Sequence, residues 1–284
     1  MVRFTKMEGI GNDYVYVDVQ RNMIKNPAKF AKKVSDRHFG IGSDGLILID
    51  KSDVADFKMN IYNTDGSEAE MCGNGIRCVG KFVYDKGLTK KTIFTVETLA
   101  GVKTLELTLK DGSVDLVKVD MGMPIFEADE IPVLNALGYE FANIKFVKTK
   151  VKSFNNKSTD FTCISMGNPH AVCFLSDIDG IDISKVGFNI ENDANFPKRT
   201  NVEFIKIINR NEIQMRVWER GVGETMACGT GACASALASF LNGFTDRFVQ
   251  VDLLGGKLYI EWKDDNHVYL TGPASIVFDG EIDE

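Results

Sequence analysis

The stretch MCGNGIRC, residues 71 to 78, has a near copy in ACGTGACA, residues 227 to 234. In each copy a cysteine precedes a Gly-x-Gly segment, and apolar residues at helical spacing follow until a glycine, Gly87 or Gly243. This pattern predicts a helix that begins just after each cysteine and ends by the glycine. The second helix is small or apolar on all sides, which predicts that it is buried.

The two cysteines, Cys72 and Cys228, are 156 positions apart, and the same offset aligns much of the remaining chain. The chain therefore reads as two copies of one unit. We predict an N-terminal lobe of residues 1–118 and 273–284, which carries Cys72, and a C-terminal lobe of residues 119–272, which carries Cys228. Without a gap, the offset matches Gly11-Asn12 with Gly167-Asn168, Met59 with Met215, Tyr62 with Trp218, Glu68 with Glu224, and Gly75 with Gly231.

Alternating apolar and polar residues predict many strands, for example at residues 57–62 and 212–218. Turn residues at 110–113 separate two alternating runs, so much of the sheet is expected to be antiparallel. Asn26 and Pro27 predict the start of one further helix. We therefore predict an α/β (α+β) fold of largely antiparallel or mixed strands. Two pseudo-symmetric lobes would each wrap a strand layer or barrel round a central helix, with the active site in the cleft between them.

Composition limits the classes of partner. The formal net charge of −7 argues against a nucleic acid or an anionic membrane surface as the main partner. No apolar run approaches the roughly 18 residues that a membrane span needs. The first residues, MVRFTKMEGIGND, lack the pattern of a secretory signal, so we expect a cytoplasmic protein. In that reducing compartment six cysteines do not require disulfides, and most are expected to be buried core residues.

Other motifs suggest chemistry that their context does not support. The segment GIGSDG, residues 40–45, matches a dinucleotide-binding fingerprint, but the apolar run after it reads as a strand where the fingerprint needs a helix. A metal site is not expected, because the chain has only three histidines and no Cys-x-x-Cys pair. Nucleophilic hydrolysis by serine or cysteine needs a base held by an orienting group, and His170 is the only histidine in a motif-like setting. Two cysteines in matched positions are not the arrangement that such hydrolysis requires.

A cysteine at a helix N-terminus is suited to acid and base chemistry. The helix dipole and free backbone N–H groups stabilise a thiolate, and the adjacent glycines allow a carboxylate to approach those N–H groups. With two such cysteines facing one α-carbon, one thiolate removes a proton from one face and the other thiol delivers a proton to the opposite face. The configuration of that carbon would then invert.

Ordered motifs along essentially the whole chain resemble those of the diaminopimelate epimerase family. The resemblance implies a cofactor-independent enzyme that interconverts LL- and meso-diaminopimelate for lysine and peptidoglycan precursor synthesis, and it implies a homodimer. It also implies Cys72 and Cys228 as the acid/base pair, in agreement with the repeat. The motifs are GIGNDYVYVD at 9–18, DRHFGIGSDG at 36–45, NTDGSEAEMCGNGIRC at 63–78, GNPHAV at 167–172, NVEF at 201–204 and ERGVGETMACGTGACA at 219–234.

The resemblance also assigns roles to further residues. It implies that Glu219 and His170 support catalysis. At position 45, where some relatives have a glutamine that contacts substrate, this chain has Gly45, so no role is assigned there. The repeat aligns Asn63-Thr64 with Glu219-Arg220, so charge appears in one copy only, as an asymmetric substrate requires. The implied substrate-binding residues are Asn12, Asn63, Gly73, Asn74, Asn168, Asn201, Glu219, Arg220, Gly229 and Thr230.

Three alternatives stay open at this point. The first is another cofactor-independent racemase of the same superfamily, similar to proline racemase, although those enzymes carry histidine where this chain has Asn74. The second is a thiol–disulfide redox or sensor protein that uses Cys72 and Cys228. The third is an amino-acid-binding module without catalysis. The other four cysteines, Cys78, Cys163, Cys173 and Cys233, are interpreted as core residues.

Overall fold

Strands outnumber helices in both halves of the chain. The computed structural model describes residues 1–154 and 157–284. Within these residues the helices are α1 (Pro27–Ser35), α2 (Gly73–Asp85), α3 (Ile183–Glu191) and α4 (Gly229–Leu241). The strands are β1 (Val2–Gly9), β2 (Asn12–Asp18), β3 (Gly45–Asp50), β4 (Phe57–Asn63), β5 (Glu68–Ala69), β6 (Ile93–Thr98), β7 (Gly101–Lys110), β8 (Ser113–Gly122), β9 (Leu137–Phe141), β10 (Ile144–Lys152), β11 (Ser158–Ser165), β12 (Pro169–Phe174), β13 (Asn201–Asn209), β14 (Glu212–Glu219), β15 (Gly223–Thr225), β16 (Phe248–Leu253), β17 (Gly256–Trp262), β18 (Val268–Pro273) and β19 (Ser275–Ile282). The predicted class, α/β with mixed strands, is confirmed.

The chain divides into two compact units, and the first comprises residues 1–120 and 271–284. In it β1 pairs antiparallel with β19 and with β2, and β2 runs parallel to β3. Strand β4 is antiparallel to β3 and β5 and parallel to β6, and β6, β7 and β8 form an antiparallel meander. Helix α1 buries Phe30 and Val34 against Val15, Leu46 and neighbouring side chains of β2 and β3.

The second unit comprises residues 121–270. Strands β9 to β12 are antiparallel in chain order, and β12 runs parallel to β13. Strand β14 is antiparallel to β13 and β15 and parallel to β16, which forms a hairpin with β17. Helix α3 buries Ile183 and Ile190 in a cluster with Val202 and Phe204 of β13.

The sequence repeat is present in the folded structure. The bounds of α1 and α3, of α2 and α4, and of β1 and β11 differ by the same 156 positions as the two cysteines. Strand register follows the repeat as well, because Leu46 pairs with Tyr62 in the first unit and Val202 pairs with Trp218 in the second. The two units therefore share both element order and pairing.

Three predicted helices are confirmed, and a fourth was missed. Asn26 caps α1 by accepting the backbone N–H of Lys29 at 3.0 Å, and nearly all of α4 is buried. The missed helix is α3, in which Gly187 and an exposed Phe188 interrupt the helical spacing of apolar residues. Its N-cap, Asp182, was a local signal that sequence reasoning overlooked.

The glycine-rich segment at residues 40–45 leads into strand β3 and not into a helix, as the sequence predicted. No helix within the described ranges is long and apolar enough to cross a membrane.

Candidate active site

Cys72 is the N-cap residue of α2. Its sulfur accepts the backbone N–H of Gly75 at 3.3 Å, and its thiol donates to Asn12 Oδ1 at 3.2 Å. Asn12 is the first residue of β2, so a strand and a helix start together hold the thiol. The sulfur thus lies at the positive end of α2, where backbone N–H groups can stabilise negative charge.

Two charged side chains orient the amide of Asn12. Its Nδ2 donates to Asp44 Oδ2 at 2.8 Å, and Arg37 Nη2 donates to Asp44 Oδ1 at 2.9 Å. Because the amide nitrogen is engaged by a carboxylate, the amide oxygen is the atom that faces the sulfur of Cys72.

The first turn of α2 surrounds a buried guanidinium. Arg77 has no exposed surface, and its Nη1 donates to Gly73 O and to Asn74 Oδ1, each at 3.0 Å. Its Nε donates to Pro273 O at 3.1 Å. Sequence reasoning missed this residue, although an arginine on an apolar helix face, aligned with Cys233 in the repeat, was a signal.

Asn63 lies in a separate local arrangement. It ends β4, and its Nδ2 donates to Ser67 Oγ at 3.0 Å within the turn that follows. Its backbone N–H donates to Ser67 O at 2.8 Å. These bonds fix Asn63 in the turn, whereas Asn12 and Cys72 are in direct contact.

In the second unit, Cys228 is the N-cap residue of α4 and is buried. Its sulfur lies 3.6 Å from Thr230 Oγ1, which accepts from Asn168 Nδ2 at 3.3 Å. Asn168 Oδ1 in turn lies 3.1 Å from His170 Nε2. Four predicted site residues therefore form one chain of contacts from Cys228 to His170.

The series of contacts from Cys228 to His170 ends at a buried carboxylate. His170 Nδ1 lies 2.6 Å from Glu203 Oε1, and neither side chain is exposed. The other carboxylate oxygen, Oε2, has no hydrogen-bond partner among the described residues. Sequence reasoning missed Glu203, and the available signal was an acid between Val202 and Phe204 on a buried strand.

Charge and burial raise the pKa of both acidic groups near the start of α4. Burial raises the pKa of the Cys228 thiol, and the nearby carboxylates of Glu219 and Glu203 add to this effect. Burial also raises the pKa of Glu219, whose Oε1 accepts from Thr225 Oγ1 at 2.5 Å. Cys228 therefore favours its protonated form.

The side chain of Asn201 contacts the backbone of Arg220. Asn201 begins β13, its Nδ2 donates to Pro169 O at 2.9 Å, and its Oδ1 accepts the backbone N–H of Arg220 at 2.9 Å. The Arg220 residue is exposed, and its Nη1 donates to Lys198 O at 3.2 Å. Gly229, also predicted for the site, is buried as the first residue of α4.

The remaining cysteines are core residues, as predicted. Cys78, Cys163, Cys173 and Cys233 are all buried. Burial raises the pKa of Cys78 and of Cys163 to about 12, so both are thiols at neutral pH. Within residues 1–154 and 157–284 the structure shows neither a disulfide nor a cluster of residues suited to hold a metal ion.

Solved structures of other proteins share this fold. A hydroxyproline epimerase from Agrobacterium vitis, solved with bound trans-4-hydroxy-L-proline, has the same fold with a TM-score of 0.66 at 13% identity. The comparison covers 98% of this chain and 91% of that one. A phenazine biosynthesis protein of the PhzF family from Bacillus anthracis gives 0.67 at 16% identity, over 99% and 98% of the two chains. This fold is thus shared with a hydroxyproline epimerase and with a PhzF-family protein.

Sequence similarity narrows the class to one family. The family model described as diaminopimelate epimerase matches residues 4–127 and 162–277. A protein of Methanococcus maripaludis named diaminopimelate epimerase is 56% identical over 99% of this chain and 100% of its own length. One of the same name from Acetivibrio thermocellus is 55% identical over 99% of both chains. The chain belongs to the diaminopimelate epimerase family, as the resemblance predicted.

Proposed function

We propose that this chain interconverts LL- and meso-diaminopimelate by proton transfer at one α-carbon. A cysteine thiolate takes the α-proton and becomes a thiol, while the thiol of the other cysteine gives its proton to the opposite face of the carbanion and becomes a thiolate. The reaction needs no oxidant and no cofactor. The observation that carries the proposal is the pair of cysteine N-caps in a chain 56% identical to a named diaminopimelate epimerase.

The site residues take roles that fit their positions. Cys72 and Cys228 are the acid/base pair, and backbone N–H groups at the starts of α2 and α4 hold the carboxylate of the reacting end. Glu219 and His170 support catalysis next to Cys228. Substrate is bound by the asparagines and by the other residues predicted from the sequence: Asn12, Asn63, Gly73, Asn74, Asn168, Asn201, Glu219, Arg220, Gly229 and Thr230.

The direct test is incorporation of deuterium from solvent into the α-position of LL-diaminopimelate. Cys72→Ala and Cys228→Ala are each expected to lower the epimerisation rate by about 10² to 10⁴ fold, because each removes a positioned acid or base. Cys233→Ala, at a buried cysteine on α4, is the matched control and is expected to keep most of the activity. Normal exchange by both folded variants would overturn the proposal, and binding without exchange would indicate a non-catalytic module.

The substrate assignment has one competitor within the superfamily. The similarity to the hydroxyproline epimerase, at 13% identity, speaks for the fold alone. Assaying proline, hydroxyproline and diaminopimelate side by side is expected to show turnover of diaminopimelate only. Turnover of a proline substrate at a comparable rate would instead place the chain with the proline racemase-like enzymes.

We further propose a cytoplasmic homodimer whose partner is a small molecule and not a nucleic acid or a membrane. The family resemblance supports the dimer, and the net charge of −7 supports the absence of an anionic partner. Light scattering is expected to give twice the chain mass of 31.5 kDa. A mass equal to one chain would contradict the homodimer.

We also propose that residues 1–118 with 273–284 and residues 119–272 act as lobes that close on the ligand. Closure would exclude water and strengthen the electrostatic interactions of the reaction. Diaminopimelate is expected to protect both Cys72 and Cys228 from alkylation. Equal alkylation with and without the ligand would count against closure.

A further inference from the structure

A buried carboxylate at the end of α3 contacts the turn that carries Arg220. Glu191 is the last residue of α3 and is 3% exposed. Its Oε1 accepts the backbone N–H of Gly221 at 2.9 Å and Arg199 Nη1 at 3.1 Å. Its Oε2 accepts the indole N–H of Trp218 at 2.7 Å. Both carboxylate oxygens are therefore bonded, and one of them holds the residue that follows Arg220.

The turn after β14 has a specific backbone geometry. Glu219 O accepts the N–H of Val222 at 3.1 Å, which closes a four-residue turn with Arg220 and Gly221 at its centre. Gly221 has a φ of +78°, in the left-handed region that glycine adopts readily and other residues do not. The closing bond uses the N–H of Val222, so the two central N–H groups need acceptors from elsewhere in the chain.

Two side chains outside the turn supply those acceptors. Asn201 Oδ1 accepts the N–H of Arg220 at 2.9 Å, and Glu191 Oε1 accepts the N–H of Gly221. These two N–H groups belong to the peptide planes on either side of the Arg220 Cα. Because both planes are held, the direction in which the exposed Arg220 side chain leaves the backbone is fixed as well.

The repeat shows that this carboxylate belongs to one unit only. At the offset of 156 positions, Ser35 in the first unit is equivalent to Glu191 in the second. The hydroxyl of Ser35 lies 3.2 Å from Ser43 Oγ, and both serines are buried. The same offset matches Thr64 with Arg220. The buried carboxylate thus accompanies the turn that carries a guanidinium, and a serine accompanies the turn that carries a threonine.

We propose that Glu191 is a positioning residue that holds Arg220, through the backbone of Gly221, in the direction needed to bind a carboxylate of the substrate. This inference rests on the proposed function, in which Arg220 binds substrate. A guanidinium binds a carboxylate best through two parallel N–H···O bonds, and that geometry requires a fixed direction of approach. Glu191 therefore contributes to substrate binding and leaves the proton transfers at the two cysteines unchanged.

The test compares KM and kcat for LL-diaminopimelate in the full-length protein. Glu191→Ala is expected to raise KM about 10-fold or more, because it removes a hydrogen bond to a charged group, and to lower kcat less than about threefold. The matched control is Ser35→Ala, at the equivalent position of the first unit, which is expected to leave both constants within about twofold. A folded Glu191→Ala variant with the KM of the wild type, or with a loss in kcat alone, would overturn the proposal.

A double-mutant cycle with Arg220→Ala separates positioning from a merely structural role. Once the guanidinium is absent, Glu191→Ala is expected to change KM by less than about twofold, because the two residues act as one unit. An equal increase in KM with and without Arg220 would show that Glu191 acts by another route and would contradict the proposal. Absence of turnover by the wild-type protein is a different result, since it would remove the proposed function itself.

Two conservative variants provide the test if Glu191→Ala does not fold. Glu191→Gln keeps an oxygen that can accept the N–H of Gly221, so its KM is expected to stay within about threefold of the wild type. Glu191→Asp keeps the charge but is one methylene shorter. The Arg199 side chain, 55% exposed, can follow the shorter carboxylate, whereas the backbone of Gly221 cannot, so KM is expected to rise about fivefold or more. A higher KM for the Gln variant than for the Asp variant would refute the proposal.

Discussion

At the residue scale, the buried pair of His170 and Glu203 is the interaction on which the second half of the site depends. Both side chains are fully removed from water, and their contact is 2.6 Å. Two desolvated partners stabilise each other only as a pair, because the one left behind keeps its desolvation cost.

We expect Glu203→Ala to lower the free energy of unfolding by about 1 to 3 kcal/mol, since it leaves the buried Nδ1 of His170 without its hydrogen-bond partner. The matched control is Glu281→Ala, whose partner Arg3 is 82% exposed and for which a change below about 1 kcal/mol is expected. Urea unfolding of both variants provides the comparison. Similar losses in the two variants would mean that the buried pair contributes no more than a surface ion pair.

Glu219 gives the stability of the protein a pH dependence. Its pKa is raised by burial above the ordinary 4.5, so the folded state binds this proton more tightly than the unfolded state. The stability that this proton contributes is complete below about pH 4 and is lost as the pH rises through the folded pKa. Glu219→Gln cannot ionise at this position, so it removes the loss of stability at higher pH. In urea unfolding at a series of pH values, the stability of the variant relative to wild type should therefore increase from pH 4 to pH 7, and a constant difference would contradict the raised pKa.

Sequence reasoning found the site residues that belong to short motifs and missed the buried charged residues that contact them. Cys72, Cys228, Asn168 and His170 stand in short patterns, so a single chain was enough to select them. Arg77 and Glu203 are single charged residues whose importance comes from burial, and burial depends on which strands pack below each helix start. That packing is set by contacts between residues distant in sequence. Neither the periodicity of apolar residues nor the spacing of motifs predicts such contacts.

At the element scale, α3 is held against β14 by a helix position without a side chain. A Cβ on Gly187 would lie 2.5 Å from Trp218 Cγ, and the indole of Trp218 donates to Glu191 Oε2 at 2.7 Å. Glycine in mid-helix costs about 0.5 to 1 kcal/mol relative to alanine, so the close approach to the indole explains its presence. Glu219 follows Trp218 directly, so this contact also positions the end of the strand.

Gly187→Ala is expected to destabilise the protein by about 1 to 3 kcal/mol despite the better helix propensity of alanine, because the indole must move. Gly138→Ala is the control: a Cβ there would meet nothing within 4 Å, and a change within about 0.5 kcal/mol is expected. Thermal or urea unfolding distinguishes the two. A neutral or stabilising Gly187→Ala would show that α3 shifts freely on the strand.

The elements that the sequence predicted best are those with a strong local signal. The alternating runs became strands, and the turn at residues 110–113 became the hairpin of β7 and β8. Parallel pairs such as β2 with β3 were not individually predictable, because alternation does not specify the partner or its direction. The repeat itself held a signal for α3, since its bounds are those of α1 displaced by 156 positions.

At the scale of the whole molecule, all six cysteines are free of disulfide bonds, which bears on the redox alternative. Freshly purified protein, denatured without reductant, is expected to react with a thiol reagent at six sites per chain. The same count after reduction is the control. A count of four that rises to six on reduction would show a disulfide and would favour the redox hypothesis over the epimerase.

The pairing of β1 with β19 has a consequence for how the chain is made. Strand β1 is synthesised before the whole second unit, and β19, its antiparallel partner from Val2 to Glu8, is synthesised after that unit. At about 5 to 20 residues per second, residues 1–120 wait on the order of ten seconds for that partner, while residues 121–270 have already been synthesised. The second unit is thus complete in sequence before the first unit has its last strand. The open edge of β1 is the part of the nascent chain most exposed to wrong strand pairing.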